Sequence, residues 1–307
     1  MHKPVMLEEL ITFLKPVKGG IYVDCTGGGG GHAEKVLGII GKEGKLIILD
    51  RDMDACKRLK DKFPQENVFI FNRNFSQVDQ LLESIGLEQV DGLYADFGTS
   101  LFQLSEGIRG FSFRNDGPLD MRMNQADELT ADIVVNTFPE ETLVNIFKKY
   151  GEEPFAKKIA YNIVGARAMK KIDSTKVLAQ IVFDAIPKKF HKPGVHPATK
   201  VFQALRIFVN KELEEIESLL AKIEKIIKKG GRVVFISFHS LEDRLVKDML
   251  QLYAKTCVCD PKNPVCTCKK VQSFKIVTKK PVTPSEREVK ENNLSRSAKL
   301  RAAEKLV

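Results

Sequence analysis

Asp24 closes the apolar stretch "IYVD"; Cys25 and Thr26 follow, then five consecutive glycines, Gly27 to Gly31, and His32. Glycine is costly to order, so five in a row mark a backbone that something must approach closely. Two more acids stand at the ends of apolar runs, Asp50 after "KLIIL" and Asp96 after "VDGLYA". A bare main-chain turn ringed by carboxylates is suited to a small ligand that carries positive charge.

Two ligand chemistries compete for such a turn. Gly28-x-Gly30-x-x-Ala33 satisfies the dinucleotide fingerprint, which would make the chain a nicotinamide-dependent (NAD) dehydrogenase. A P-loop is excluded, because Gly41-Lys42 is followed by Glu43. Asp24 argues against the dinucleotide, since a carboxylate beside a pyrophosphate is repelled while one beside a cation is held. S-adenosylmethionine carries an ammonium and a sulfonium and no phosphate, and is the better match. Asp50, 19 residues after Gly31, suits the ribose hydroxyls of either cofactor.

Methyl transfer needs positioning more than acid–base chemistry. The sequence has no G-x-S-x-G elbow and no H-E-x-x-H pair. It does have "DFGTSLFQLSEGIRGFSFRNDGPLDMRM", in which Gln103, Arg109, Asp120 and Arg122 are interleaved with Phe97, Phe102, Phe111 and Phe113. Arginines beside aromatics suit a nucleobase stacked and gripped at its edges. Arg109, Phe113 and Arg122 are the candidate substrate contacts. Asp120 is a candidate acceptor for an amine hydrogen, with a pairing to Arg122 or Arg109 as the structural alternative. In "ISFHSLEDR", Ser240 and Asp243 fit a helix N-cap pair, and His239 just before them points toward the cleft as a second catalytic candidate.

These residues need a scaffold that brings strand ends together. Strands are expected at 20–26, 45–50, 68–74 and 90–97, with helical periods near 32–40, 52–63 and 76–85. That alternation predicts βαβ units and a parallel, doubly wound sheet. An aperiodic loop at 98–123 is followed by helices at about 126–135, 139–150, 152–170 and 174–186. A break, "KKFHKPGVHPATK", precedes one long helix at roughly 199–229, and a fifth strand follows at 230–237. The chain therefore reads as a sheet domain in two parts, 1–103 and 206–307, around a basic helical insertion, 104–205. In the tail, Thr283, Pro284 and Glu286 fit an N-cap, N1 and N3, and "SRSAKLR" reads as a partly ordered basic arm.

The 307 residues carry a net charge of +9, and it is unevenly placed. Residues 148–200 hold twelve Lys/Arg against four Asp/Glu, and residues 269–307 hold eleven against four. Two basic regions on a mildly acidic remainder suggest a polyanionic partner, most simply nucleic acid. No leader or membrane segment is apparent, so the expectation is a cytoplasmic protein without a membrane partner. Cys257, Cys259, Cys266 and Cys268 form a C-x-C-x6-C-x-C array that could hold zinc. Its spacing is not that of the usual C-x2-C pair, so reduced loop cysteines or a loop clip stand beside that reading, and no metal ligand is assigned.

Taken in order, "GGGGGH", "RGFSF", "PLDMRM", "HPATKVFQALR", "ISFHSLEDR" and "RSAKLR" resemble the MraW (RsmH) family of bacterial rRNA methyltransferases. The resemblance runs from His2 nearly to the C-terminus. It implies a class I, Rossmann-like, S-adenosylmethionine-dependent methyltransferase fold with an inserted helical substrate-recognition domain. It further implies N4-methylation of the cytosine at position 1402 of 16S rRNA, near the decoding centre, with the small ribosomal subunit as partner. By position it puts cofactor contacts at Gly30, Gly31, His32, Asp50, Phe75, Asp96 and Gln103. The chain departs from the family's usual "LGVSSxQLD" with "FGTSLFQLS", at Thr99, Leu101 and Ser105. A non-catalytic RNA-binding assembly factor with a vestigial pocket is a further alternative. In the catalytic reading, the target cytosine is unstacked and inserted base-first toward the cofactor.

Overall fold

The structure, a computed structural model, describes residues 4–98, 109–260 and 265–307. The chain divides into two compact units, one of Met1–Gly98 with Leu213–Val307, the other of Thr99–Glu212.

The first unit begins with α1 (Leu7–Leu14) and then alternates: β1 (Ile21–Asp24), α2 (Gly31–Ile40), β2 (Lys45–Asp50), α3 (Met53–Lys62), β3 (Val68–Asn72), α4 (Val78–Ser84) and β4 (Val90–Asp96). Parallel strands covered on both faces must be apolar on both. In β2, Leu46 and Ile48 pack with Leu10, Val36 and Ile40 on one side, while Ile47 and Leu49 pack with Val78 and Leu82 on the other.

After the second unit the sheet resumes with β5 (Ile227–Ser237), α11 (Ser240–Ala254), β6 (Phe274–Ile276), α12 (Glu286–Glu291) and β7 (Lys299–Lys305). The strand order is β3-β2-β1-β4-β5-β7-β6, parallel from β3 to β5, with β7 antiparallel to both its neighbours. Winding reverses between β1 and β4, the place where open α/β sheets bind ligands beyond their strands' carboxyl ends.

The second unit contains α5 (Ala131–Thr137), α6 (Glu140–Gly151), α7 (Ala156–Met169), α8 (Thr175–Ala185) and α9 (Thr199–Asn210). Thr130 and Ser174 cap α5 and α8 by accepting from Ile133 N–H and Val177 N–H. Buried Leu143, Phe147, Ile159, Ile163, Val182 and Phe202 form its interior. Its lysines stay outside: Lys148, Lys157, Lys158, Lys170, Lys171, Lys189 and Lys192 are exposed.

The structure corrects the tail and the long helix. The expected helix at 199–229 is broken at Lys211, which takes a left-handed φ of 51° between α9 and α10 (Glu212–Ile226). Its expected last residues already belong to β5, where Ile227 pairs with Val90, and a bulge precedes the Arg232–Gly92 pairing. Ser285, not Thr283, caps α12 by accepting from Glu288 N–H. The supposed basic arm is β7, an interior strand of the sheet. Its charges are neutralised by neighbours: Arg301 forks onto Asp243 of α11 (2.6 and 3.1 Å), and Glu304 pairs across the ladder with Arg232 (2.7 Å).

Candidate functional site

Asp24, Asp50 and Asp96 are the last residues of β1, β2 and β4, three neighbouring parallel strands. The glycine turn runs from β1 into α2, and its glycines have two different causes. At Gly30, the N-cap of α2, φ is +70°, and an added Cβ would sit 2.7 Å from Phe63. Gly27 and Gly31 are equally enclosed, by Ile48 with Leu59 and by Pro4. These three are glycine because the protein's own core closes over them. Gly28, at φ +49°, is different, since a Cβ there would meet only the Thr26 carbonyl at 3.7 Å. Its open side is the part of the turn available to a ligand.

Asp50 fixes this turn. Its Oδ2 accepts from Gly28 N–H and its Oδ1 from Asp52 N–H, both at 2.8 Å. Asp24 is almost fully buried and accepts from Thr26 N–H at 3.0 Å. Thr26 Oγ1 in turn accepts from Asp96 N–H at 2.7 Å, tying β1 to β4. His32 is buried at the start of α2, with Nε2 2.9 Å from the Val5 carbonyl and Nδ1 4.0 Å from Asp96 Oδ2. A carbonyl only accepts, so Nε2 carries a proton and Nδ1 faces the Asp96 carboxyl. Phe75 stands just past β3, tilted against Phe97 with ring centres 5.9 Å apart, and Phe97 stacks on Phe235. Gln103 lies outside the described residues, as do Phe102 and the variant positions Thr99, Leu101 and Ser105.

The electrostatics of this edge are unusual. Among the described residues none of Asp24, Asp50 and Asp96 has a lysine or arginine ion pair. Burial pushes the Asp24 carboxyl up to about 7, opposed by the Thr26 N–H and reinforced by the charge of Asp50. Burial also raises Asp50, and it raises Asp96 strongly, helped by Asp24. Among the described residues Asp96 Oδ1 is buried without a hydrogen-bond partner, and so is Asn74 Oδ1 beside Phe75. Crowded acids and orphaned acceptors ask for a donor-rich cation.

The candidates of the second unit are already engaged. Arg109 is 6% exposed, and its Nη2 donates to the carbonyls of Arg122 and Met123 at 2.9 and 2.8 Å. Arg122 forks onto Asp120 (2.9 and 2.8 Å) and donates to the carbonyls of Gln125 and Asp127. Despite burial, that guanidinium holds the Asp120 carboxyl below its ordinary range. Asn210 braces the same loop, accepting from Met123 N–H and donating to the Met121 carbonyl. Phe113 packs between His196 and Phe202, with centroids 4.6 and 4.9 Å away. Arg109, Arg122 and Phe113 thus build the loop they belong to, with Arg122 and Phe113 still partly open to solvent.

His239, not Ser240, is the N-cap of α11. Its Nδ1 accepts from Glu242 N–H, and Glu242 Oε2 accepts from the N–H groups of Phe238 and His239. Asp243 is drawn off the cap by Arg301. Thr26, Asn74 and Glu242 went unflagged by sequence reasoning, because each works through a partner distant in the chain or through a commonplace residue type. Only the position of Thr26, directly after the strand-ending acid, offered a signal. Among the described residues no helix is long and apolar enough to cross a membrane.

Known proteins match this chain along its whole length. The ribosomal RNA small subunit methyltransferases H of Caldicellulosiruptor bescii and of Clostridium botulinum (strain Loch Maree) are each 46% identical over 306 residues, covering 99% of this chain and 99% of each relative. That of Halothermothrix orenii is 44% identical over 307 residues, covering 100% of this chain and 99% of the relative. A methyltransferase structure from Streptococcus mutans, in complex with SAH, aligns over 100% of both chains at 12% identity and a TM-score of 0.43. Residues 1–306 match the MraW methylase family, and the chain is a member of that family.

Proposed function

We propose that this chain methylates small-subunit ribosomal RNA, at the N4 amine of a cytosine that corresponds to position 1402 of the 16S molecule. The cofactor is S-adenosylmethionine, which when bound supplies an electrophilic methyl group on a sulfonium. The observation that carries the reading is the trio Asp24, Asp50 and Asp96, which end neighbouring strands and, among the described residues, have no lysine or arginine ion pair. The residues fit the cofactor. Asp24 and Asp96 would hold its positive charge, Asp50 its ribose hydroxyls, and Gly28 offers open backbone. Asn74 Oδ1 is a further free acceptor, and Phe75 supplies an apolar face beside it.

The rRNA part rests on the names of the relatives and on the second unit's surface. Exposed lysines share that surface with exposed Tyr161 (68%) and Phe190 (52%), and Lys189 lies over the Phe190 ring, a combination suited to backbone phosphates and stacked bases. An exocyclic cytosine amine is a poor nucleophile, because its lone pair is conjugated with the ring. Asp120, kept ionised by Arg122, is too weak a base to remove a proton outright. It can accept a hydrogen bond from the amine and favour a pyramidal nitrogen. After methylation the cationic nitrogen is acidic and loses its proton to water unaided. His239 enters only as the cap that fixes the start of α11.

Nucleoside mass spectrometry of 16S rRNA from a deletion strain tests the proposal. N4-methylated cytidine is expected to be absent, and to return with the wild-type chain but not with Asp24→Asn. If the mark persists in the deletion strain, the assignment fails.

A further inference from the structure

Among its described residues the loop between α11 and β6 has no apolar core of its own; Val258, Val265 and Val271 on it are 49%, 69% and 60% exposed. Its four cysteines nevertheless converge. All are free thiols, and their sulfurs lie within 4.8 Å of one another. Cys257 Sγ is 3.4 Å from Cys266 and 3.8 Å from Cys268, while Cys266 is 3.6 Å from Cys268 and 3.9 Å from Cys259. A disulfide would bring two sulfurs to about 2.05 Å. Four thiolates on one tetrahedral zinc, with Zn–S bonds of about 2.3 Å, stand about 3.8 Å apart. The observed separations bracket the second value and are far from the first.

The spacing explains how the sulfurs meet. Residues i and i+2 of an extended segment face the same side, so each C-x-C arm presents both its sulfurs to the other arm. Main-chain amides point at those sulfurs as they do toward thiolates: Val258 N–H to Cys268, Cys259 N–H to Cys257, and Thr267 N–H to Cys259, each at 3.4 Å.

We propose that Cys257, Cys259, Cys266 and Cys268 bind one zinc ion as a structural tetrathiolate. Soft thiolates in a tetrahedral set select zinc over harder divalent cations. The ion takes the place of the missing core and fixes the loop that leads into β6, whose pairing with β7 completes the sheet. This site is separate from the strand-end carboxylates and does not rest on the methyl-transfer reading.

The test uses the full-length protein, purified under reducing conditions from zinc-supplemented cells. Elemental analysis is expected to find one zinc per chain, falling to background in the double variant Cys259→Ser, Cys266→Ser. Cobalt exchanged into the wild type is expected to give the intense visible bands of a tetrahedral thiolate complex, absent from the variant. Circular dichroism of both proteins checks that the two substitutions leave the sheet intact. A wild type holding no more zinc than the variant overturns the site, as does a non-reducing mass showing two disulfides in its place.

Discussion

The carboxylates of this protein fall into two groups that look alike in sequence and differ in what faces them. Asp120 and Asp243 each meet an arginine fork, and each is held below the ordinary carboxylate range despite partial burial. Asp24 is more deeply buried than either and the Asp96 side chain is a quarter exposed; among the described residues neither has a lysine or arginine ion pair, and both are pushed up instead. A buried acid with its own cation needs no further positive charge. A buried acid without one is held at a cost that the fold leaves uncompensated until a positive charge arrives from outside. The contrast makes the Asp243–Arg301 pair structural and supports the ligand-binding role proposed for the strand ends.

The same substitution should therefore act with opposite sign at the two kinds of site. Asp243→Asn leaves the Arg301 guanidinium, on an interior strand, without its carboxylate and should destabilise the protein by about 3 kcal/mol, read by denaturant unfolding at neutral pH. Asp24→Asn should stabilise the ligand-free protein above pH 7, because it removes a buried charge and keeps an acceptor for Thr26 N–H. Equal destabilisation by both would erase the distinction.

Binding should separate the two next. Asp24→Asn is expected to weaken S-adenosylmethionine by roughly 10–100-fold in calorimetry, the range for loss of a charge-assisted contact, while Asp243→Asn at a temperature where it is folded should bind normally. The pH dependence sharpens this. Asp24 ionises near 7 when folded and near 3.8 when not, so the folded protein binds the extra proton between those values. Ligand-free stability should fall as pH rises through that window. Donor affinity should rise through the same window, with proton release that Asp24→Asn abolishes. An affinity flat from acidic to mildly alkaline pH would mean that Asp24 does not meet the cation.

Part of this was open to a reader of the sequence. Apolar runs ending in Asp24, Asp50 and Asp96 were enough to place three acids on one edge, because strand periodicity is local information. The reason for the glycines was not. Gly27, Gly30 and Gly31 are enclosed by Leu59, Ile48, Phe63 and Pro4, contacts made only once the sheet and α3 have assembled. β7 was hidden because "KLRAAEK" looks like a solvated arm until Asp243 and Arg232 are seen opposite its charges. Arg109 and Arg122 looked like ligand contacts for the same reason, their carbonyl and carboxylate partners being set by a loop fold that carries no period. The helix break at Lys211 rests on one non-glycine residue in a left-handed conformation, which leaves no mark in composition.

The smallest effects belong to the basic surface, where each charge is exposed and acts alone. Lys157 and Lys158 lie on α7 in the second unit, and Lys42 lies beyond α2 in the first. If phosphates are met by the helical unit, Lys157→Ala with Lys158→Ala should weaken RNA uniformly across sequences and reduce the salt slope by about one for each phosphate that a lysine no longer neutralises. Lys42→Ala should leave both unchanged, and none of the three should alter donor affinity, since among the described residues no lysine forms an ion pair with the strand-end acids. Filter binding at several salt concentrations reads both quantities. Equal slopes for the wild type and the double variant would remove α7 from the RNA surface, yet the strand-end site would stand, because its argument depends on acids lacking a cation and not on lysines lacking an anion.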